Sequence, residues 1–179
     1  MRPSLRTLLF TFFFMLSALN CNAEDILKGS IGLASYATHI EYDVWAAEDD
    51  DFSGLAIFGT GALNHNVAIR GGFYNLEHKD YSDVDGSGIE LQVLAGNNFD
   101  SVGFKIYGGA GFFNEEIEDY DFSGMLLTFG LGYNWEKIAL DFWISVRDAS
   151  DYEDMVSDSV GFSSDAAASS GALMLGYRF

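Results

Sequence analysis

Eight stretches of the chain alternate apolar and polar residues with a period of two, which is the pattern of β-strands with one apolar face. In the stretch 138–147, for example, Leu140, Phe142 and Ile144 alternate with Asp141, Trp143 and Ser145. The connections alternate as well, being short after the second, fourth and sixth stretches and longer and polar after the others. This is typical of an all-β, eight-stranded up-and-down antiparallel β-barrel. The predicted strands are 27–40, 53–63, 67–76, 88–96, 102–113, 123–134, 138–147 and 170–179.

The composition of the second face of each strand indicates that the barrel spans a membrane. Opposite the apolar face, the stretches 102–113 and 123–134 carry mostly glycine, with a few polar or charged residues such as Lys105 and Tyr107. A water-facing surface would be dense in lysine, glutamate and threonine, whereas small residues beside a few large polar ones suit a narrow, filled lumen. The faces of the first two stretches are not assigned, and a register shift or bulge is expected there.

The acidic residues follow the long connections. Twenty-one of the 27 aspartates and glutamates fall in these four connections, which lie at one rim of the predicted barrel. The strands themselves carry little charge, because a Lys or Arg that faces lipid at mid-bilayer costs about 2–4 kcal/mol. The formal net charge is −18, and so acidic a surface repels nucleic acid.

The N-terminus predicts export. Arg2 and Arg6 precede an apolar run that ends at Leu19, and small or polar residues lead to Ala23, as in a secretory signal peptide. The predicted organisation is a signal peptide at 1–23 and one outer-membrane β-barrel domain at 24–179, without cysteine or proline. A membrane anchor is the first alternative, but the apolar run is shorter than the roughly 20 residues that span a bilayer. Acylation of Cys21 is the second alternative.

Seven charged residues have the parity of the inward face of the strands. We call them the lumen charges, and they are Lys28, Arg70, Glu90, Lys105, Asp141, Arg147 and Arg178. Charges inside a barrel need partners, so we expect an ion-pair and hydrogen-bond network that plugs the lumen. The alternative is a selective pore, but eight strands leave room for side chains and little else.

Aromatic residues near the ends of the stretches predict the two interfacial belts of a membrane protein. The periplasmic belt is predicted to contain Tyr133, Trp135, Tyr177 and Phe179. The outer belt is predicted to contain Trp45, Phe52, Phe73, Phe113 and Phe122.

No motif for catalysis, cofactor binding or a specific metal site is found. The stretch 83–90 resembles a calcium loop at its start, but position 12 is Leu94 where a bidentate glutamate is needed. Weak binding of divalent cations by the acidic loops remains an expectation. The serines Ser35, Ser53 and Ser82 could approach His39 or His78 at the outer rim, but no spacing selects one arrangement, and we expect no enzyme.

The segments Ile106–Gly111, Phe129–Asn134, Ile138–Phe142 and Gly176–Phe179 resemble the small outer-membrane barrels of the OmpX/Ail and OmpA transmembrane-domain type. A looser resemblance to YfaZ-type proteins lies in the acidic run before the second stretch and in Gly59–Gly61. The resemblance implies that the terminal alternation is read by the barrel-assembly machinery, and we call these residues the assembly signal: Leu173, Leu175, Tyr177 and Phe179.

The sequence thus predicts an integral barrel of the Gram-negative outer membrane with a structural or surface-interaction role. Its expected partners are outer-membrane lipid, lipopolysaccharide and, during insertion, the assembly machinery. The alternatives are a small pore and, third, a lipid-modifying enzyme.

Overall fold

The computed structural model describes residues 28–43, 49–81, 84–118, 120–153 and 165–179. The predicted signal peptide and its cleavage site, the alternative acylation site Cys21, and also Trp45, Ser82 and Asp83 lie outside these ranges. No helix in the described ranges is long and apolar enough to cross a membrane.

Eight antiparallel strands close into one barrel, and each strand pairs with its neighbours in the chain. The first strand pairs with the last, with Ile31 opposite Tyr177. The strands are β1 (Gly29–Tyr42), β2 (Asp50–Ala62), β3 (Val67–His78), β4 (Asp85–Gly96), β5 (Gly103–Ile117), β6 (Tyr120–Asn134), β7 (Ile138–Arg147) and β8 (Ala166–Arg178). The predicted fold class is therefore confirmed.

The pairing of β1 with β2 is regular from Gly29↔Gly61 to Ile40↔Asp50, so the expected bulge or register shift is wrong. Both faces of β2 looked apolar because Phe58 points inward and is completely buried. Its ring lies against Gly72, where any side chain would collide with it. An inward aromatic, and not a bulge, explains the unclear alternation.

The three connections at one rim, 63–66, 97–102 and 135–137, are short. Asparagine side chains shape two of them, since Asn64 accepts hydrogen bonds from the backbone N–H groups of Asn66 (2.8 Å) and Val67 (2.9 Å). Asn98 adopts a left-handed conformation, which asparagine tolerates better than most residues. Because these tight turns occupy one rim, the long connections lie at the opposite rim, which we call the outer rim.

The third of the long connections is shorter than predicted. β5 and β6 run to Ile117 and from Tyr120, so only 118–119 join them. A tilted strand needs about 9–11 residues to cross a bilayer, and both strands have 15 residues. The extra residues carry acidic side chains such as Glu116 and Asp121, which hid the strand ends in the sequence.

Candidate functional site

The outside of the barrel carries an apolar surface on every strand. Its side chains include Leu33, Leu55, Leu91, Phe104, Leu127, Val146 and Leu175, all more than half exposed. A surface this apolar and continuous is stable only against lipid. The exposed face and the closed sheet therefore define the molecule as a transmembrane β-barrel.

The predicted belt at the short-turn rim is present. Trp135 is 47% exposed and Tyr177 is 55% exposed, and the rings of Tyr133 and Trp135 lie 4.7 Å apart. In the predicted outer belt, Phe73 is exposed, but Phe52, Phe113 and Phe122 are buried inside the barrel. Placing these three outside was wrong, because they share the parity of the inward face.

The interior holds three layers of polar contacts, which we call inner, middle and outer. The inner layer lies nearest the short-turn rim. Lys105 Nζ is 2.7 Å from Asp141 Oδ2, and Arg70 Nη2 is 3.6 Å from Asp141 Oδ1. Arg70 also donates to the hydroxyl of Tyr107 at 2.9 Å, and its guanidinium lies 4.1 Å from the ring of Trp143. One carboxylate therefore serves two buried cations.

The middle layer contains an acid, Glu90, that forms no ion pair with a Lys or Arg among the residues that the structure describes. Glu90 accepts hydrogen bonds from the hydroxyl of Tyr36 and, at 2.8 Å, from the amide of Gln92. The ring of Tyr36 stacks on that of Tyr74 at 4.4 Å. Tyrosine therefore satisfies a buried carboxylate here, and the expected network is divided into separate clusters.

The outer layer is built around Arg147, which lies 3.1 Å from Glu115 and donates to the hydroxyl of Tyr74 at 3.0 Å. The hydroxyl of Tyr152 donates to Glu115 at 2.9 Å, and the ring of Phe113 lies 3.8 Å from the Arg147 guanidinium. Sequence reasoning missed Glu115 because it was placed in a loop. Its odd number, shared with Lys105 on the same strand, was the signal for an inward position.

Six of the seven lumen charges are therefore buried inside the barrel. The exception is Lys28, which precedes β1 and is exposed, so its predicted place in the lumen is wrong. Arg178 closes the inner end, where its guanidinium donates to the carbonyl of Trp135.

The outer-rim histidines bind carboxylates. His39 Nδ1 lies 2.8 Å from Asp51 on the outside of the barrel, and His78 Nε2 lies 3.1 Å from Asp50 on the inside. Among the described residues neither histidine is hydrogen bonded to a serine, and Ser35 and Ser53 both face outward. The described residues also contain no cluster of ligands suited to a metal ion.

Comparisons with known proteins agree with this class of fold. No protein-family model matches the chain, and no curated protein matches it. Among solved structures, the attachment invasion locus protein Ail of Yersinia pestis is 17% identical with a TM-score of 0.56, over 87% of this chain and 100% of that one. Neisserial surface protein A is 12% identical with a TM-score of 0.54, over 84% of this chain and 95% of that one. The chain thus has the fold of the small outer-membrane barrels, as its motifs suggested.

Proposed function

We propose that this protein is an integral outer-membrane barrel that conducts no solute and acts through its acidic outer rim, in a structural or surface-interaction role. The observation that carries the proposal is the filled lumen. Arg70, Tyr36, Tyr74, Tyr107 and Trp143 all point inward, and water reaches at most 2% of the surface of each. Among the described residues these side chains fill the cross-section of the lumen, which supports a function at the surface outside the membrane.

Reconstitution into a planar lipid bilayer tests this proposal against the small-pore alternative. We expect no stepwise conductance from the refolded barrel, whereas a porin reconstituted in the same way gives discrete steps. The matched control is a variant with Trp143→Ala and Arg70→Ala, which removes two large side chains that fill the lumen. It tests whether an emptied lumen gives conductance in the same assay. Regular conductance steps from the unmodified protein would replace this proposal with a pore.

The outer rim also supports a role for divalent cations shared with lipopolysaccharide. Glu116 and Asp121 are direct partners in the pairing of β5 with β6, and both are exposed. Opposed side chains lie about 5 Å apart, where like charges destabilise the pair. A Ca²⁺ or Mg²⁺ ion held between these carboxylates and a lipid phosphate removes that repulsion.

Limited proteolysis in lipopolysaccharide-containing vesicles tests this role. We expect Ca²⁺ to protect the outer rim from cleavage, a chelator to abolish the protection, and Glu116→Gln with Asp121→Asn to weaken it. The control is the pair of substitutions Glu136→Gln and Asp100→Asn at the opposite rim. Cleavage that is insensitive to the chelator rules out cation bridging.

A further inference from the structure

A pocket of about 170 Å³ opens at the outer end of the barrel interior, above the Arg147–Glu115 layer. It is lined mainly by aromatic side chains from β1, β2, β3 and β6 and from the connections after β3 and β7. Neither the lumen plug nor the acidic outer surface accounts for it.

One wall of the pocket is formed by Phe52, His78 and Tyr81. The ring of His78 is packed edge-on against Phe52 and tilted against Tyr81, with centroids 4.9 Å apart in both pairs. The backbone N–H groups of Asp80 and Tyr81 both donate to His78 Nδ1 at 3.1 Å. Nδ1 therefore accepts hydrogen bonds here, which leaves Nε2 as the ring nitrogen that faces Asp50, at 3.1 Å.

A second wall is formed by Tyr120, Phe122 and Tyr152. Phe122 and Tyr152 are stacked, with centroids 4.4 Å apart and planes 13° apart, and Tyr120 is tilted against Phe122 at 6.4 Å. Phe122 and Tyr152 are buried, whereas Tyr120 is 54% exposed at the entrance. The two walls present aromatic rings to one small space.

The charged groups in the pocket are acidic. Asp50 lies in its wall, held by the hydroxyl of Tyr42 at 3.0 Å as well as by His78, and Glu118 lies at its edge. Of the described residues that line the pocket, none is Lys or Arg. Two cations close to lining residues have other partners, since Lys79, next to His78 in the chain, lies 3.3 Å from Asp51, and Arg147 is paired with Glu115.

From this combination we infer that the pocket binds a small quaternary ammonium cation, such as a trimethylammonium head group. Aromatic faces carry a negative quadrupole that attracts ammonium groups, and carboxylates beside them add to the attraction. The acidic outer rim raises the local concentration of any cation at the entrance. The inference goes beyond the proposed function, because it concerns a ligand site inside the mouth and holds whether or not the barrel conducts.

Two other ligand classes fit the pocket less well. An anion meets Asp50 and Glu118 with no cation to compensate. A sugar needs several donors and acceptors, but both Asp50 oxygens are already hydrogen bonded to Tyr42 and His78. A quaternary ammonium ion has no N–H donors, so it requires only the aromatic ring faces and the negative potential of the nearby carboxylates.

Calorimetric titration of the full chain, refolded in maltoside micelles that contain no ammonium head group, tests the inference. The probes are choline and its neutral isostere 3,3-dimethylbutan-1-ol, which has the same shape without the charge. We expect saturable binding of choline, weaker at high salt, and no binding of the alcohol. Equal binding of the two compounds, or no saturable binding of choline, overturns the proposal.

Substitutions locate the site. We expect Tyr81→Leu and Tyr120→Leu each to weaken choline binding about two- to fivefold, because each removes one partly exposed cation–π contact. Asp50→Asn should weaken it further, and heat-modifiable mobility on gels confirms that each variant folds. Tyr133→Leu, at the opposite rim, is the matched control and should bind choline normally. Equal affinity in the pocket variants and the control places the binding elsewhere and refutes the assignment.

Discussion

At the residue scale, the interior depends on a few acids that each serve several donors. Asp141 contacts Lys105 and Arg70, and Glu115 contacts Arg147 and Tyr152. Charges removed from water are costly unless each is paired and hydrogen bonded. The layers therefore stabilise the barrel only when they are complete, and loss of one acid leaves a cation stranded.

We expect Asp141→Asn to lower the free energy of unfolding by about 3–5 kcal/mol, the cost of breaking a buried pair from one side. Urea titration in lipid vesicles measures the change, and the heat-modified band on gels reports the folded form. The control is Asp51→Asn, which removes an exposed carboxylate at the outer rim. A stability equal to that of the control would contradict the interior role of Asp141.

A second prediction concerns the close packing of tyrosine over glycine in the lumen. A Cβ atom at Gly130 would collide with the ring of Tyr107, whose hydroxyl is bound to Arg70. We expect Gly130→Ala to destabilise the barrel by about 1–3 kcal/mol, as overpacking does. Gly108→Ala is the control, since its Cβ atom meets nothing closer than 3.6 Å. Equal urea midpoints for the two variants would refute this packing argument.

At the scale of elements, alternation was enough to predict all eight strands, and the inner turns were read nearly to the residue. The errors lie where strands leave the membrane. Outside the membrane both faces of a strand can be polar. The sequence around Glu116 and Asp121 therefore resembles a loop, although these two residues pair across two strands. The prediction for Lys28 was wrong for a related reason, because the parity of β1 extends in the sequence to residue 28, before the strand begins.

The pocket at the outer end of the barrel interior could not be predicted from the sequence. Its walls come from five strands and three connections, and ring contacts such as Phe122 on Tyr152 depend on closure of the barrel. The parity of Phe122 indicates the inner face of β6, whereas its position near the end of the strand predicted a place in the aromatic belt. Sequence periodicity therefore gives the face of a residue and leaves its partners undetermined.

Two of the three turns at the short-turn rim are linked by a contact that depends on pH. His65 Nδ1, in the turn after β2, lies 2.9 Å from Asp100 Oδ1, in the turn after β4. The hydrogen bond with His65 lowers the pKa of the Asp100 carboxyl. A lowered pKa adds stability above the ordinary value of about 3.9, and this stability is lost as the pH falls through the lowered value.

We therefore expect Asp100→Asn to reduce stability at pH 7 by no more than about 1 kcal/mol, as for an exposed pair, and to change nothing below the lowered pKa. Urea titrations across this pH range measure the difference. In a His65→Ala background the same substitution should have little effect at any pH. A difference that does not vary with pH would contradict the link.

At the scale of the whole molecule, charge is sorted along the barrel axis. Of the lysines and arginines after residue 23, four are buried in the lumen, Lys28 and Lys137 lie at the short-turn rim, and Lys79 alone lies at the long-connection rim. That rim carries most of the acids. The proposed surface-interaction role rests on these two features, the filled interior and the acidic outer rim.

Closure of the barrel is also a property of the whole molecule. The pairing of β1 with β8 that closes it extends to Phe179. The backbone of Phe179 exchanges two hydrogen bonds with Gly29, at 3.0 and 3.1 Å, and its ring is 57% exposed on the outside. An exposed ring adds little to the closed barrel. If the assembly signal is read through this ring, its loss impairs insertion and leaves the folded state nearly unchanged.

We therefore expect Phe179→Ala to refold in micelles with a urea midpoint close to that of the unmodified protein, because both backbone hydrogen bonds are retained. In cells, the amount in the outer membrane should fall severalfold, measured by fractionation and heat-modifiable mobility. The control is Phe142→Ala, which removes a comparable outward ring (45% exposed) in the middle of β7. That control should reach the membrane normally. Normal outer-membrane levels of Phe179→Ala would show that the ring is not part of the signal and would leave closure of β1 on β8 as its only role.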